Sequence, residues 1–208
     1  ILCELVRVSA HLKYLLQVAQ SVSSNTVVHY ILREREKLLD VLEAITGARF
    51  YLNAFSFGGV RHNITEGAIE RITSVCDEVR FRMNEYHEVF SNHMGFKNRS
   101  NHVGVLTKEV CVQYGVTGPN LQASQLKTSG SDSYDRYWVR VNEIFVSINK
   151  IKNLLDELRP STGRDVLPKP IATIKKGESY TSLNTPRGEL GCYVASDGGN
   201  KPIRVQFK

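Results

Sequence analysis

PRGELGCYVASDGG, residues 186–199, is the stretch of this 208-residue chain that decides its fold. Its proline and first glycine predict a tight turn, and the apolar residues after them predict a strand that runs into a second glycine turn. A further short strand is expected around residues 203–205. Arg187 and Glu189 lie at the first turn, where the backbone can hold a charged pair outside a core. With the residues before it, this stretch predicts three short strands within 171–208.

The residues before residue 160 carry the periodicity of helices instead. Apolar side chains recur there at intervals of three and four. The segments with this pattern are 1–20, 26–46, about 66–92 and 136–158. Thr65 is placed to cap the third helix, and residues 93–135 are expected to be rich in loops.

Together these patterns predict an α+β fold. It is mainly a helical bundle, with a small antiparallel β appendage at the C-terminal end. Three prolines between 160 and 170 interrupt the chain, so we expect a helical bundle over 1–160 and a small β-rich region over 161–208. The first helix begins without a capping residue and the sequence stops on a strand. We therefore expect a fragment of a larger chain.

Composition narrows the classes of function. Hydrophobic residues make up 41% and charged residues 23%, which is typical of a globular protein. The net charge of +6 is not concentrated in a Lys/Arg block, so a basic face against an acidic neighbour, or a charge without functional meaning, is favoured over binding of nucleic acid or lipid. No apolar run reaches the roughly 18 residues that cross a bilayer.

Cofactor motifs are absent from the sequence. The four cysteines are scattered without a CxxC pair, which predicts reduced, mostly buried thiols and no metal held by this chain. There is no P-loop and no GxGxxG, so a nucleotide is expected to bind elsewhere. Dispersed histidines are expected to serve surface or capping roles.

Several short motifs follow one another in a fixed order. They are RERE at 33–36, TGAR at 46–49, GGVR at 58–61, GVLTKE at 104–109, YGVTGP at 114–119 and DSYDRYWVR at 132–140. Taken alone, RERE indicates a solvated charge face, GGVR a turn between helices, and Arg187 a solvated arginine on a hairpin.

As an ordered set the motifs resemble the quinone-site large subunit of respiratory complex I. That family carries RERE, TGAR, GGV, VGVISKE, YGFTGP and GDSYDRYLVR, and shares its PRGE region with the large subunits of nickel–iron hydrogenases. RERE–TGAR and SYDRY favour complex I. A hydrogenase large subunit stays an alternative, which nickel analysis would test.

The resemblance implies a component of an NADH:quinone oxidoreductase that is not catalytic on its own. It implies that the chain lines the chamber where a quinone is reduced, and that the terminal iron–sulfur cluster lies in a small neighbouring subunit. The expected partners are other complex I subunits and the quinone, not nucleic acid. The expected location is peripheral to a membrane, on the bacterial cytoplasmic face or the organelle matrix side, with attachment through partner subunits only.

The resemblance also implies candidate chamber residues, although no catalytic residue is assigned. The candidates are Ser21, Tyr51, Gly58, Gly59 and Arg187. The turn is expected to position Arg187 so that its guanidinium forms a bidentate, fork-like pair of hydrogen bonds with a carboxylate.

Several family positions are changed in this chain. Ser21 stands where the family has an acidic residue, Tyr51 where a histidine is common, and Ser56 where an arginine is found. Gln122 and Gln125 replace an arginine and a glycine. Ser21, Tyr51, Ser56 and Gln122 place neutral side chains at charged or titratable positions of the family, so a degenerate, non-catalytic homologue with a structural or assembly role is the alternative.

Overall fold

Helices dominate the computed structural model, which describes residues 1–56, 59–127, 129–158 and 175–208. The long helices are α1 (Leu2–Ser21), α2 (Asn25–Thr46), α3 (Glu66–Tyr86) and α7 (Ser133–Leu158). The short helices are α4 (Met94–Ser100), α5 (Lys108–Gln113) and α6 (Gly118–Ser124). The strands are β1 (Phe55–Ser56), β2 (Gly59–Val60), β3 (Gly177–Thr185), β4 (Gly188–Ser196) and β5 (Arg204–Phe207).

Helix α1 lies at the centre of the bundle and packs against α2 and α7. Its apolar stripe, including Leu5, Leu12 and Leu15, is buried, as are Ile144 and Ile148 of α7. Each such side chain stabilises the fold by about 1.5–3 kcal/mol relative to exposure. The periodicity therefore predicted both the helices and the faces that they bury. None of the described helices combines the length and the hydropathy needed to cross a bilayer.

Two helix starts test the predicted boundaries. The Thr65 hydroxyl accepts a hydrogen bond from the Ala68 amide at 3.3 Å, so the predicted cap of α3 is confirmed. Helix α7 begins at Ser133, three residues before the predicted start. Asp132 and Asp135 explain the difference, because each carboxylate accepts a hydrogen bond from the other residue's amide, at 3.0 and 3.2 Å.

The connecting segments contain more regular structure than the sequence indicates. Helices α4, α5 and α6 interrupt the predicted loops of 93–135, and a π-helical turn, His87–Ser91, completes the third predicted helix. Strands β1 and β2 form a two-residue ladder where only a loop was expected. These elements are too short to produce a periodic pattern, so sequence reasoning missed them.

The C-terminal strands form an antiparallel sheet in the order β3-β4-β5, with Leu183 opposite Leu190 and Cys192 opposite Phe207. The three predicted strands and the α+β class are thus confirmed. The division at residue 160 falls outside the described residues and stays a prediction.

The cysteines are free thiols, as predicted, but their burial differs. Cys76 and Cys111 are buried, whereas Cys3 is exposed and Cys192 half-buried. Burial raises the pKa of the Cys76 thiol to about 12.

The sheet is held against the bundle by a contact between two backbones. A Cβ on Gly118 would lie only 2.6 Å from the Cα of Gly188, and both glycines have positive φ, +66° and +134°. Beside this contact the Glu189 amide donates to the Thr117 hydroxyl at 2.8 Å. A guanidinium nitrogen of Arg7 donates to the Asn184 carbonyl at 2.7 Å. The YGVTGP and PRGE motifs therefore meet, and PRGE is also bound to α1.

We predict that Gly118→Ala destabilises the chain by about 2 kcal/mol or more in denaturant unfolding. Positive φ costs an alanine roughly 1–2 kcal/mol, and backbone cannot move aside cheaply. Gly67→Ala is the matched control, because Gly67 lies in α3 with open space around it. That control is expected to stabilise by about 0.5–1 kcal/mol. Equal effects of the two substitutions would contradict the close approach.

Candidate functional site: a cationic cleft between the bundle and the hairpin

An open cleft of about 660 Å³ lies where the β3–β4 turn passes over the bundle. Helix α1 contributes residues from Cys3 to Lys13, and α2 contributes Leu39 and Leu42. The segment 49–55 forms one wall and the turn residues 183–187 form another. The cleft exists because the glycine contact and the Arg7–Asn184 hydrogen bond hold the turn over α1.

The cleft is strongly cationic. Among the described residues, its lining includes Arg7, Lys13, Arg35, Arg49 and Arg187 but no aspartate or glutamate. Three of these cations are engaged by the chain itself. Arg7 pairs with Glu4, Arg35 lies over the Phe50 ring, and Arg49 pairs with Asp40 and Glu43. Across the described residues, the side chains of Lys13 and Arg187 have no hydrogen bond or ion pair.

The structure brings together two of the predicted chamber residues, Tyr51 and Arg187, on different walls of the cleft. The Tyr51 side chain is fully exposed, and its φ of +55° is unusual for a residue other than glycine. The backbone of Arg187 is fixed by an amide hydrogen bond to the Thr185 hydroxyl at 3.3 Å. The turn therefore positions Arg187, as predicted from the sequence.

The expected fork from Arg187 onto a carboxylate does not form within the described part of the chain. Glu189, the nearest acid in the motif, accepts a hydrogen bond from the Tyr180 hydroxyl at 3.1 Å and pairs with Lys208 at 3.5 Å. Its side chain is directed to these partners by the alternation of β4, because Glu189 and Tyr180 share one face of the sheet. Arg187 is left exposed at the cleft.

The other predicted site residues do not line this cleft. Ser21 ends α1, about 12 Å along the helix axis beyond Lys13, and its hydroxyl donates to the Val18 carbonyl at 2.7 Å. Gly59 lies in β2 opposite Ser56. Gly58 is outside the described residues.

The RERE motif is not simply a solvated charge face. Glu34 is fully buried, with its carboxylate 2.6 Å from Arg33, 3.2 Å from the Tyr86 hydroxyl and 3.5 Å from Lys37. Burial and the negative charge of Glu34 raise the pKa of Tyr86. A buried carboxylate needs such partners, so this acid ties α2 to α3.

The next acid of the motif binds the cleft wall. Glu36 forms an ion pair with Arg49 of TGAR, which also contacts Asp40 at 2.6 Å and Glu43 at 2.9 Å. These carboxylates occupy one face of α2, and their hydrogen bonds raise the pKa of Arg49. RERE and TGAR thereby fix the start of the segment that carries Tyr51.

A buried polar cluster between α1 and α7 was missed by sequence reasoning. His11, on the apolar stripe of α1, lies 2.6 Å from the carboxylate of Glu143. Arg140, also buried, donates to Asn120 at 2.8 Å and lies 4.0 Å from the centroid of the Tyr14 ring. The position of His11 within an apolar stripe was the available signal, but a stripe does not identify the partner.

The charge state of Glu143 follows from this cluster. Burial opposes its ionisation, but the contact with His11 and the charges of Arg7 and Arg140 outweigh burial. They hold the pKa of Glu143 below its ordinary value of 4.5. In the described ranges, this cluster included, no group of three or more His, Cys, Asp or Glu side chains could hold a metal ion.

Comparison with known proteins identifies the family. The sequence profile of the respiratory-chain NADH dehydrogenase 49 Kd subunit matches residues 21–129 and 165–208. The chain therefore belongs to this family, and the resemblance based on its motifs is confirmed.

The relatives are respiratory proteins. The chain is 33% identical over 233 residues to a subunit of the NADH-quinone oxidoreductase of Solibacter usitatus, covering 100% of this chain and 62% of the relative. It is 31% identical over 253 residues to NADH-quinone oxidoreductase subunit 4 of Thermus thermophilus, with the same two coverages. The chain thus spans under two thirds of the relatives' length.

A solved structure agrees in fold. A chain in the structure of the membrane-bound sulfane sulfur reductase, an archaeal respiratory membrane complex, matches with a TM-score of 0.85 at 26% identity. The match covers 98% of this chain and 62% of that one.

We predict that Glu143→Gln destabilises the chain at neutral pH and that the difference from wild type disappears in acid. Because the folded-state pKa is depressed, the stabilisation is complete above about pH 4.5 and is lost as pH falls through the lower folded value. Urea unfolding between pH 7 and pH 3 measures this. Glu157→Gln, an exposed site on the same helix, is the control. If the variant and wild type still differ by the same free energy of unfolding at pH 3, the charge of the Glu143 carboxylate is not what stabilises the fold.

Proposed function

We propose that this chain forms part of the wall of the quinone-reduction chamber of a complex-I-like NADH:quinone oxidoreductase. In this proposal the terminal iron–sulfur cluster lies in a small neighbouring subunit, and this chain holds no metal. Membership of the 49 Kd family supports it. The observation that carries it is the cleft itself, which unites Tyr51 and Arg187 over an apolar floor.

The residues that line the cleft are suited to the reduction of a quinone. Reduction of a quinone requires two electrons and two protons, and it places negative charge on the quinone oxygens. Fixed cations beside an apolar wall stabilise developing negative charge more strongly than water does. The guanidinium of Arg187, which has no partner among the described residues, can donate to a quinone oxygen, and the exposed hydroxyl of Tyr51 can supply a proton.

Location and partners follow from the same proposal. The chain is peripheral to the membrane, on the bacterial cytoplasmic face or the organelle matrix side, and other subunits attach it there. Electrons arrive from the neighbouring subunit's cluster. Ser21 and Gly59 remain candidates that the cleft does not include.

One observation favours the alternative, a non-catalytic homologue with a structural or assembly role. Among the described residues no carboxylate and no histidine lines the cleft, so its proton donors are limited to the phenol of Tyr51, the thiol of Cys3 and the ammonium group of Lys13. The position of the family's acidic residue is occupied by Ser21, whose hydroxyl is committed to the Val18 carbonyl.

We predict that Arg187→Ala in the assembled complex lowers quinone reductase activity by about 10- to 100-fold. This is the effect of losing one charge-assisted hydrogen bond to the developing charge. Arg187→Lys is expected to rescue poorly, because an ammonium group lacks the planar fork. Subunit content and the iron–sulfur spectrum should be unchanged. Arg71→Ala, on the exposed face of α3, is the control, and equal rates for the Arg187 and Arg71 variants would refute the assignment.

Substitution at Ser21 distinguishes the proposed role in the quinone chamber from the alternative structural or assembly role. Under the chamber proposal, Ser21→Asp restores an acidic residue and changes the rate or the inhibitor sensitivity relative to Ser21→Ala. Steady-state quinone reduction with and without a quinone-site inhibitor measures both. Identical behaviour of the two variants and wild type would favour the structural role.

A further inference from the structure

The buried pair of His11 and Glu143 does not line the cleft, and the proposed chemistry does not use it. Glu143 lies on α7 and is 2.6 Å from His11 on α1. A carboxylate at such a place is costly without close partners, and apolar stripes already join the two helices. The side chain that connects the pair with the cleft is Arg7, one helical turn before His11.

Arg7 lies between two pockets. On one side is the cleft, and on the other is a smaller polar pocket of about 300 Å³. The polar pocket is lined by Glu143 and Lys150 of α7 and by Gln122 of α6. Because Arg7 and Asn184 line both pockets, the hydrogen bond between them forms part of the boundary.

Two carboxylates act on the Arg7 guanidinium. Its Nε lies 3.3 Å from the carboxylate of Glu4, one turn earlier on α1. Burial opposes the ionisation of Glu143, whereas its contact with His11 favours it. The charges of Arg7 and Arg140 also favour it, and together these groups hold the pKa of Glu143 below its ordinary value of 4.5. Since attraction between charges is mutual, ionised Glu143 also stabilises the charged Arg7.

The same guanidinium reaches the turn that carries Arg187. Its Nη2 donates to the Asn184 carbonyl at 2.7 Å, and the Thr185 hydroxyl beside it accepts the amide of Arg187. We propose that Arg7 is a positioning residue, which places Arg187 by holding the β3–β4 turn, and that ionised Glu143 keeps Arg7 in place. The inference rests on the proposed function, because it concerns how Arg187 is held for the quinone.

A guanidinium is suited to this task because it contacts Glu4 and Asn184 at once, through different nitrogens in one plane. A lysine at this position keeps the charge that faces Glu143, but its single nitrogen cannot reproduce both contacts in the same geometry. Arg7→Lys therefore separates the hold on the turn from the charge balance of the bundle.

The first experiment measures amide hydrogen exchange in the assembled complex. Arg7→Lys and Arg7→Ala should each speed exchange in segment 183–189 by about tenfold relative to exchange in α2. Lys150→Ala is the matched control. Lys150 lines the same polar pocket and lies 4.0 Å from Glu4, but it has no hydrogen bond or ion pair with the turn in the described part of the chain. Its exchange pattern should match wild type.

The second experiment measures quinone reduction in a double-mutant cycle. Arg7→Ala should lower kcat about tenfold with little change in KM, as expected when a group that acts in the transition state is misplaced. The double variant Arg7→Ala, Arg187→Ala should be no slower than Arg187→Ala alone, because Arg7 acts through Arg187. Lys150→Ala should again match wild type.

The part assigned to Glu143 is tested in the same way. Glu143→Gln should speed exchange in segment 183–189, relative to α2, when Arg7 is present. In the Arg7→Ala background it should add nothing to that ratio. An equal effect with and without Arg7 would show that the pair only joins α1 to α7.

Two results would overturn the positioning role of Arg7. The first is unchanged exchange in segment 183–189 in both Arg7 variants. The second is a double variant whose loss of rate is the product of the two single losses, because Arg7 would then act independently of Arg187. If exchange rises as expected while Arg187→Ala leaves quinone reduction unchanged, the chamber proposal fails and the hold of Arg7 on the turn stands.

Discussion

The arrangement of this chain depends on the approach of two backbones at Gly118 and Gly188. Neither position tolerates a Cβ, because each glycine has positive φ and the space between them is already filled. The Thr117 hydroxyl accepts the Glu189 amide beside this contact. The β3–β4 turn is thereby fixed over α1, and the cleft exists only because the turn is held there. Two motifs separated by about seventy residues are thus one structural unit.

The RERE and TGAR motifs form a second structural unit. This unit positions segment 49–55, the cleft wall that faces the β3–β4 turn. Glu34 is buried and ties α2 to α3, while Glu36, Asp40 and Glu43 hold Arg49 against α2. The segment that follows carries Tyr51 to the cleft. The cations that line the cleft are therefore of two kinds. Those bonded within the chain maintain its shape, whereas Lys13 and Arg187 have no side-chain partner in the part of the chain that the structure describes and can bind another molecule.

A feature could be predicted from the sequence when it is set by residues close together in the chain, and not when it is set by contacts between distant residues. Helical stripes are local patterns, so the long helices and the core residues Leu12 and Ile148 could be predicted. The start of α7 was misplaced because a reciprocal cap is a polar signal outside the stripe. Arg187 and Tyr51 stay predicted site residues, and the sequence does not say that they share a cleft and that Ser21 does not. That distinction depends on which end of α1 the turn covers, a contact between residues far apart in the chain. The His11–Glu143 pair was missed for the same reason.

We propose that the quinone binds in the cleft between segment 49–55 and the β3–β4 turn. Photolabelling of the assembled complex with a photoreactive quinone analogue, followed by peptide mapping, tests it most directly. We predict adducts on residues 49–55 and 183–187, both suppressed by excess unlabelled quinone. Suppressible adducts confined to other segments, with both walls unlabelled, would contradict it.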